Sequence, residues 1–538
     1  MHALLLPLLI GLTTAAAEPP DVVVVCPQEF RAAMQPWLER REKQGHTVQF
    51  ISNEPTPVEI REQIRTIAKS GKLRFVLLVG DAPTSNSTAV QRANRTPTFK
   101  IPAPMNRVWS GEPDVASDNP YADLNDDRVP DLAIGRLTAR TADELAVIVK
   151  RILAYEESQD FGPWRRRINF VAGEAGFGAT LDTTMEMVVR RLIGGALPPA
   201  YQTTMTYASW RSPFCPDPRS FHQQSLERMN EGCLFWVFMG HGAPQTVQWA
   251  MFPDGATPIL QCEDCAKLHC GATPPIVLCM CCYTGAFAEE QSCLAEELLR
   301  SPGGPVGVFS GSSVTMPYGM TAMGIDAISD YFEHPSDTLG EWILTTKRDM
   351  VAGYNLPIWS LVNAATITMM PAIMQPKEER LEHLQLFNLL GDPTMRLNHP
   401  AAVSVKAPAT AAAGETISID GKSDIVGTVN VELIVPPMAL PASSRTVYDD
   451  SPQGQKQFDS TYKAANGHAL TTATADVQAD GTFHTKLQLP QLAGNYRVRA
   501  FVEGKTGCAL GASDLKIENA DAKRADAKPA PLHAVGSK

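Results

Sequence analysis

The feature that most constrains the fold is an alternation of apolar, β-branched runs with amphipathic stretches over residues 21–397. The apolar runs predict strands at residues 22–26, 48–51, 75–79, 132–134, 168–172, 234–239, 276–280 and 306–310. Helical periodicity falls between many of them, at residues 29–43, 58–69, 142–157, 184–193 and 289–300. Strands that are apolar throughout must be buried on both faces. We therefore expect an α/β fold with a mostly parallel sheet flanked by helices.

The hydrophobic pattern of the sequence changes near residue 400, which indicates a second domain. Short strands of alternating polarity, at residues 416–419, 429–434, 482–489 and 496–502, are separated by turns rich in Gly, Pro, Asp and Ser. This pattern predicts an immunoglobulin-like β-sandwich over residues 400–518. Residues 519–538 are rich in Ala, Lys and Asp without periodicity, so we expect a disordered tail.

The first large region is predicted to span residues 18–399. A long connection after Gly80, rich in Pro, Ser and Asn, runs to Pro120. Loops of this length inside an α/β region are often functional, or they separate subdomains. The region is therefore predicted either as one unit or as two subdomains, at residues 18–137 and 138–399.

The N-terminus predicts an exported protein. An apolar run over residues 3–12 precedes three alanines that end at Ala17, which is the pattern of a secretory signal peptide over residues 1–17. The alternative is a buried N-terminal segment. The run is too short to cross a bilayer, and no later apolar run reaches about 18 residues, so we expect no transmembrane segment. A net charge of −11 argues against nucleic acid and anionic membranes as partners.

Two predicted strands are followed by side chains that can act as a base or a nucleophile. The strand at residues 234–239 is followed by Gly240-His241-Gly242, and the strand at residues 276–280 is followed by Cys281-Cys282. In open parallel sheets the functional crevice lies beyond the carboxyl ends of the strands. If the two strands are neighbours, the histidine and a cysteine meet there.

A histidine beside a cysteine is the arrangement that thiol catalysis requires. The thiolate is the nucleophile, and a nearby base generates it from the thiol. Glycine lets the backbone approach a substrate carbonyl closely, so the N–H groups of Gly242 and Cys282 are candidate oxyanion donors. The alternative is a core histidine and an inert buried cysteine.

Several further motifs resemble, in the same order, those of the gingipains, which are secreted cysteine endopeptidases with a caspase- and legumain-like fold. The motifs are Gly240-His-Gly242, Cys282-Tyr-Thr-Gly-Ala-Phe287 with the segment at 292–300, Phe75-Val-Leu-Leu-Val-Gly-Asp81, Ser117-Asp-Asn-Pro-Tyr121, Ala133-Ile-Gly-Arg136 and Gly391-Asp-Pro-Thr394. The resemblance covers roughly residues 21–518 and implies a caspase-like sheet followed by the β-module.

The resemblance also implies roles for individual residues. His241 matches the general base, Cys282 the nucleophile and Glu174 the acid that orients the histidine. Cys281 stands where the family has a small residue, which leaves Cys281 as an alternative nucleophile. Glu174 has a surface carboxylate as its alternative role. No cofactor is implied for the chemistry.

Substrate preference follows from the resemblance as well. The best-known gingipains cleave after Arg or Lys, which implies a preference for a basic P1 residue. Asp182 matches the acidic residue of the specificity pocket, and Tyr318 matches its aromatic wall. Asp182 also lies at the start of a predicted helix, where Asp is a common N-cap.

An acidic loop is a candidate calcium site. Asp123, Asn125, Asp127 and Asp131 stand at relative positions 1, 3, 5 and 9, a spacing of oxygen ligands that suits Ca²⁺. The loop is not an EF-hand, because Arg128 occupies the position of the required glycine. The gingipain resemblance implies structural calcium, and the alternative is an acidic surface turn.

A second group of residues has metal-ligand spacing. Cys262, Cys265 and Cys270 have the spacing of zinc ligands, of disulfide partners or of surface thiols, and the sequence leaves these three readings open.

The sequence therefore predicts a secreted cysteine endopeptidase that hydrolyses proteins or peptides through a thioester. One alternative keeps the same dyad but makes the chain a transpeptidase or processing protease. The other is a catalytically silent adhesion or structural protein built on a peptidase scaffold.

Overall fold

The structure is a computed structural model that describes residues 18–109, 111–174, 197–353, 375–436 and 445–519. The predicted signal peptide, the predicted helix at residues 184–193 and residues 520–538 of the predicted tail lie outside these ranges. No helix in the described ranges is both long enough and apolar enough to cross a membrane.

The first region is built on strands that largely match the predicted ones. In chain order they are β1 Val22–Val25, β2 Val48–Ile51, β3 Phe75–Val79, β4 Phe99–Pro102, β5 Asp114–Ser117, β6 Ala133–Leu137, β7 Arg167–Ala172, β8 Gln202–Tyr207, β9 Phe235–Met239, β10 Gly242–Ala243, β11 Thr246–Val247, β12 Trp249–Phe252, β13 Gly255–Pro258, β14 Ile276–Met280, β15 Gly307–Gly311 and β16 Phe387–Leu390.

Ten of these strands form one sheet in the order β2-β1-β3-β6-β16-β15-β14-β9-β7-β8. Every neighbouring pair is parallel except β15 and β16, which run antiparallel. The prediction of a mostly parallel sheet is confirmed. Three hairpin-like ribbons, β4–β5, β10–β11 and β12–β13, stand apart from the sheet.

Both faces of the sheet are buried, as the uninterrupted apolar strands predict. Along β1, Val22 and Val24 belong to one hydrophobic cluster, whereas Val23 and Val25 belong to another. Successive side chains of a strand point to opposite faces, so the two clusters lie on opposite sides of the sheet. Helices supply the other half of each cluster.

The helices of the described residues are α1 Gln35–Lys43, α2 Pro57–Ala68, α3 Ala89–Ala93, α4 Pro104–Val108, α5 Ala142–Glu157, α6 Phe221–Asn230, α7 Leu294–Arg300, α8 Pro317–Glu333, α9 Leu339–Ala352, α10 Pro376–Leu386 and α11 Pro452–Asn466. Two begin later than predicted. Residues 28–30 form a separate 3₁₀ turn before α1. The N-terminal end of α7 is set by Cys293, whose N–H donates to Glu296 three residues on.

The two halves of the sheet meet at β6 and β16, which share one paired position, Leu390 with Arg136. Arg136 is fully buried and donates to both carboxylate oxygens of Asp118 at 2.7 Å. Asp392, just after β16, accepts hydrogen bonds from Trp37 and Arg41 of α1. Buried charges need such partners, and the contacts of Asp392 with α1 connect the two halves. The division into two subdomains stays a prediction.

The second region is β-rich, as predicted, with strands β17 Ala401–Lys406, β18 Thr410–Ala412, β19 Thr416–Ser423, β20 Gly427–Ile434, β21 Ala469–Asp476, β22 Thr482–Gln488, β23 Gly494–Gly504 and β24 Cys508–Glu518. Strand β17 pairs with β19 on one side and β24 on the other, so the eight strands form one continuous sheet. The immunoglobulin-like form of the prediction, two separate facing sheets, is not confirmed.

Helix α11 of this β-module covers the edge of the large sheet. The Asn466 side chain accepts from the Met205 N–H at 2.7 Å and donates to the Met205 carbonyl at 3.1 Å, which completes the outer side of β8. The Tyr462 hydroxyl lies 2.7 Å from the Thr206 hydroxyl. The module therefore shields an edge strand that would otherwise expose unpaired backbone groups.

Candidate active site

Three neighbouring strands place the candidate residues at one level of the sheet. Met239 of β9 pairs with Met280 of β14 and with Ala172 of β7. His241, Cys282 and Glu174 each follow one of these paired residues by two positions. Adjacent strands lie about 4.8 Å apart, so the backbones of the three residues lie beyond the carboxyl edge of neighbouring strands, and their catalytic roles stay a prediction.

Gly242 brings the segment around His241, called here the histidine turn, directly against the segment of Cys281 and Cys282, called here the cysteine turn. A side-chain Cβ at this position would lie 2.4 Å from the Cys282 carbonyl oxygen and 2.9 Å from the Cys281 sulfur. No residue with a side chain fits such a gap without a shift of the backbone. The glycine after His241 is thus required by close approach of the two turns.

The Cys282 thiol lies half-buried beside Thr315. The Thr315 N–H donates to the sulfur at 3.3 Å, and the Thr315 hydroxyl lies 3.4 Å from it. Burial raises the pKa of the Cys282 thiol, while the hydrogen bonds from Thr315 act in the opposite direction. The neutral thiol therefore dominates at rest, and a base is needed to generate the thiolate.

Cys281 has a different environment. It is fully buried, and its sulfur lies 3.2 Å from the Thr284 hydroxyl. Burial, reinforced by the neighbouring Cys279, raises the Cys281 pKa well above its ordinary value. An inaccessible neutral thiol is a poor nucleophile, so the geometry favours Cys282 over Cys281.

The side chain of Gln248 joins the backbone of His241 to that of Glu174, an arrangement called here the clasp. Its side-chain oxygen accepts from the His241 N–H at 3.2 Å, and its amide nitrogen donates to the Glu174 carbonyl at 2.7 Å. Its own N–H donates to the His241 carbonyl at 3.0 Å. One side chain thus joins the ends of β7 and β9. The sequence carries no motif around Gln248 that would single it out.

The acidic residue Glu174 contacts this clasp through its backbone. Burial raises the pKa of the Cys215 thiol, and the negative charge of Glu174 adds to that increase. The orientation of the His241 ring by Glu174 stays a prediction.

The residue after Cys282 has an uncommon backbone conformation. Tyr283 has a φ of 60°, in the left-handed region that disfavours side chains. Its N–H donates to the Ser313 carbonyl at 3.0 Å, and its hydroxyl lies 3.1 Å from both carboxylate oxygens of Glu112. Ser313 also donates to Glu112, at 2.5 Å. The exposed Glu112 therefore anchors both segments that flank Cys282.

A buried histidine, His383, contacts the segment that carries Thr315. His383 of α10 accepts at Nε2 from the Met316 N–H at 3.0 Å, and its Nδ1 lies 2.8 Å from the Glu379 carbonyl. Burial lowers the pKa of His383 to about 4, so the ring is neutral near pH 7. Met316 follows Thr315, which connects this contact to the Cys282 sulfur.

The predicted specificity residues are only partly described. Asp182 lies outside the described residues. Tyr318 lies in the first turn of α8 and is 3% exposed, with a pKa that burial raises. Both assignments stay predictions.

The acidic loop folds onto its own backbone. The carboxylate of Asp123 accepts the N–H groups of Asn125, Asp126 and Arg128, and Asp127 accepts that of Val129. The Arg61 guanidinium lies 3.2 Å from Asp123. Among the described residues no group of three or more His, Cys, Asp or Glu side chains converges to hold a metal. The oxygens are of the kind that calcium prefers, but a guanidinium already compensates one of them.

All eleven cysteines lie within the described residues, and all are free thiols. Cys265 and Cys270 are buried and Cys262 is half-buried, with pKa values that burial raises. The three cysteines form no disulfide, and the burial of Cys265 and Cys270 does not fit surface thiols. Within the described ranges they also join no group of side chains that could hold a metal.

Comparisons with known proteins agree with this architecture. The sequence matches the family model for peptidase family C25 over residues 15–398. The crystal structure of the Arg-specific cysteine proteinase gingipain R (RgpB) superposes with a TM-score of 0.51 at 16% identity, covering 93% of this chain and 98% of that chain. No curated protein sequence matches the chain.

Two further solved structures give the same picture. The complex of Porphyromonas gingivalis RgpB pro- and mature domains has a TM-score of 0.51 at 16% identity, over 93% of this chain and 100% of that chain. A structure described as a protease has a TM-score of 0.50 at 14% identity, over 93% and 97%. At these identities the likeness shows the fold alone.

Proposed function

The chain belongs to peptidase family C25, a family of cysteine peptidases, and from that premise we propose that it is an exported endopeptidase whose catalytic dyad is His241 and Cys282. The observation that carries the proposal is the packing of Gly242 against the Cys282 carbonyl, at the ends of two paired strands. That contact holds the base and the nucleophile at the same edge of the sheet.

The proposed reaction is hydrolysis of a peptide bond through a thioester. The Cys282 sulfur attacks the scissile carbonyl carbon while His241 takes the thiol proton. The C–N bond then breaks, and His241 gives that proton to the leaving amine. Water, deprotonated by His241, attacks the thioester and releases the carboxylic acid product, and the proton returns to the thiol.

The oxyanion of each tetrahedral intermediate needs donors that are already in place. We assign this role to the N–H groups of Gly242 and Cys282. The absence of a side chain at Gly242 leaves room beside the cysteine for the substrate carbonyl to approach.

The remaining assignments belong to the same proposal. Glu174 orients His241, with Gln248 holding the two turns together. Asp182 and Tyr318 favour a basic P1 residue. The substrates are proteins or peptides, and no cofactor takes part in the chemistry. The 123–131 loop takes structural calcium, for which chelation should lower the melting temperature and Asp127→Asn should remove that effect.

Active-site labelling tests the proposal. Residues 18–538 are treated with peptidyl electrophiles that differ at P1, with and without calcium, and peptide mass spectrometry locates the adduct. We expect an adduct on Cys282 that is lost in His241→Ala and retained in Cys281→Ala. Electrophiles with Arg or Lys at P1 should react fastest, and that preference should fall in Asp182→Asn.

Each other outcome has a definite meaning. An adduct on Cys281 would move the nucleophile by one residue. A folded protein that no electrophile labels would instead support the silent scaffold. Products formed with an added amine, in place of water, would identify a transpeptidase.

A further inference from the structure

The β12–β13 ribbon exposes an unusual face. Trp249 lies opposite Pro258, and Met251 lies opposite Ala256, so the four side chains share one side of the ribbon. Trp249 is 46% exposed and Met251 is 63% exposed. The solvent-facing side of a two-stranded ribbon is normally polar, yet all four residues here are apolar.

The other side of the ribbon fixes its orientation. Ala250 and Phe252 belong to the main hydrophobic core, and the Phe252 ring lies 5.6 Å from that of Phe221 in α6. Because side chains alternate along a strand, burial of Ala250 and Phe252 forces Trp249 and Met251 outward. The exposed face is therefore held in place by core packing.

The position of the ribbon connects this face to the candidate active site. Strand β12 begins at Trp249, immediately after Gln248, whose side chain bonds to the His241 N–H and the Glu174 carbonyl. The Gln248 N–H also bonds to the His241 carbonyl at 3.0 Å. The apolar face thus starts one residue from the clasp that holds the histidine turn.

We propose that Trp249, Met251, Ala256 and Pro258 form a substrate subsite that takes an apolar or aromatic side chain of an extended peptide. The inference rests on the proposed peptidase function and adds a substrate class to it. The ribbon follows the His241 segment in the chain, separated from its hydrogen bonds only by Gln248, and in this proposal an extended peptide bound across His241 and Cys282 continues along the ribbon. Apolar surface beside a reaction centre gains binding energy by removing substrate side chains from water.

Matched variants and peptides test the subsite. Trp249→Ser and Met251→Ser each remove an exposed side chain and leave the core-facing residues intact, and Leu492→Ser, at a residue 71% exposed in the β-module, is the control. Substrates are pairs of peptides that differ only by Leu or Ser at one position on either side of the scissile bond.

We expect each variant to lower kcat/KM about tenfold for the Leu peptide at the affected position, mainly through KM, with little change for its Ser partner. The control should cleave both peptides like the wild type. Equal effects on both peptides, or no effect at any position, would overturn the subsite.

A binding measurement separates this inference from the dyad. In a Cys282→Ala background, the Kd for the Leu peptide should rise about tenfold on Trp249→Ser, irrespective of turnover. Unchanged Kd values would refute the subsite even if catalysis is confirmed. A dimer of the wild type that Trp249→Ser dissociates would also refute it, since the face would then bind a second copy of the chain.

Discussion

The anchor of Glu112 on Tyr283 should control the reactivity of Cys282. Glu112→Ala removes the acceptor for the Tyr283 hydroxyl at 3.1 Å and for the Ser313 hydroxyl at 2.5 Å. A hydrogen bond to a charged group contributes about 1.5–3 kcal/mol when buried, and Glu112 is exposed, so the pair together is worth about 1–2 kcal/mol.

The energy of the two Glu112 hydrogen bonds is comparable to the backbone strain at Tyr283. A left-handed conformation at a residue with a side chain costs about 1–2 kcal/mol, and Tyr283 adopts it at a φ of 60°. Without the anchor, a large share of molecules should relax at Tyr283 and displace the Cys282 turn. Because about 1.4 kcal/mol corresponds to a tenfold change, we expect kcat to fall about tenfold with little change in KM.

The assay combines turnover with alkylation of Cys282 by iodoacetamide, which requires no substrate. Glu112→Gln keeps a hydrogen-bond acceptor and should retain most of the activity, whereas Tyr283→Phe should resemble Glu112→Ala. Burial, with a smaller effect from Glu112, raises the pKa of Tyr283 to about 12, so its hydroxyl stays a donor across the neutral range.

A glycine at position 283 provides the decisive control. Glycine adopts positive φ without the steric cost, so in a Tyr283→Gly background the Glu112→Ala change should have little further effect. The control of Cys282 by the Glu112 anchor would be refuted if Glu112→Ala alone left both kcat and the alkylation rate at wild-type values. Fully additive effects of the two changes would refute it as well.

Three further predictions follow from the contacts around the site. Gly242→Ala should reduce kcat at least a hundredfold, because its Cβ would lie 2.4 Å from the Cys282 carbonyl oxygen; normal turnover would contradict the close packing. Gln248→Ala should lower kcat about tenfold by loosening the position of His241, while the melting temperature, measured alongside, should change little. The pKa of His383 is lowered to about 4, so the unfolded chain binds the proton first as the pH falls from about 6.5. As the pH falls from about 6.5 to about 4, this difference should lower the free energy of unfolding by about 3 kcal/mol. The free energy of urea unfolding should therefore depend less on pH in His383→Gln than in the wild type.

The sequence alone predicted the class of fold and the edge of the sheet where the proposed site lies. Uninterrupted apolar runs such as β3 and β14 can only be buried on both faces, which requires a sheet covered on two sides. The ends of two such runs carry His241 and Cys282, and strand ends meet at one edge of a parallel sheet. Local pattern was sufficient because both conclusions depend on residues adjacent in the chain.

Elements with weaker local signals were missed. Strand β8, with the sequence Gln-Thr-Thr-Met-Thr-Tyr, lacks the apolar run that marked the other strands. Its outer side is completed by the amide of Asn466, more than 250 residues away. Strand β17 also depends on long-range pairing, because it pairs with both β19 and β24. A strand that pairs in two directions joins two sheets into one, which no local pattern distinguishes from a sandwich.

Tertiary structure alone decided the details of the site. Cys281 and Cys282 are identical in type and adjacent in sequence, and only burial distinguishes the enclosed thiol of Cys281 from the half-buried thiol of Cys282. Gln248, Thr315 and Glu112 contact the segments of His241 and Cys282 from separate connections of the sheet, so their spacing in the chain carries no signal. Hydrogen bonds and desolvation depend on distances in space, and the folded sheet sets those distances.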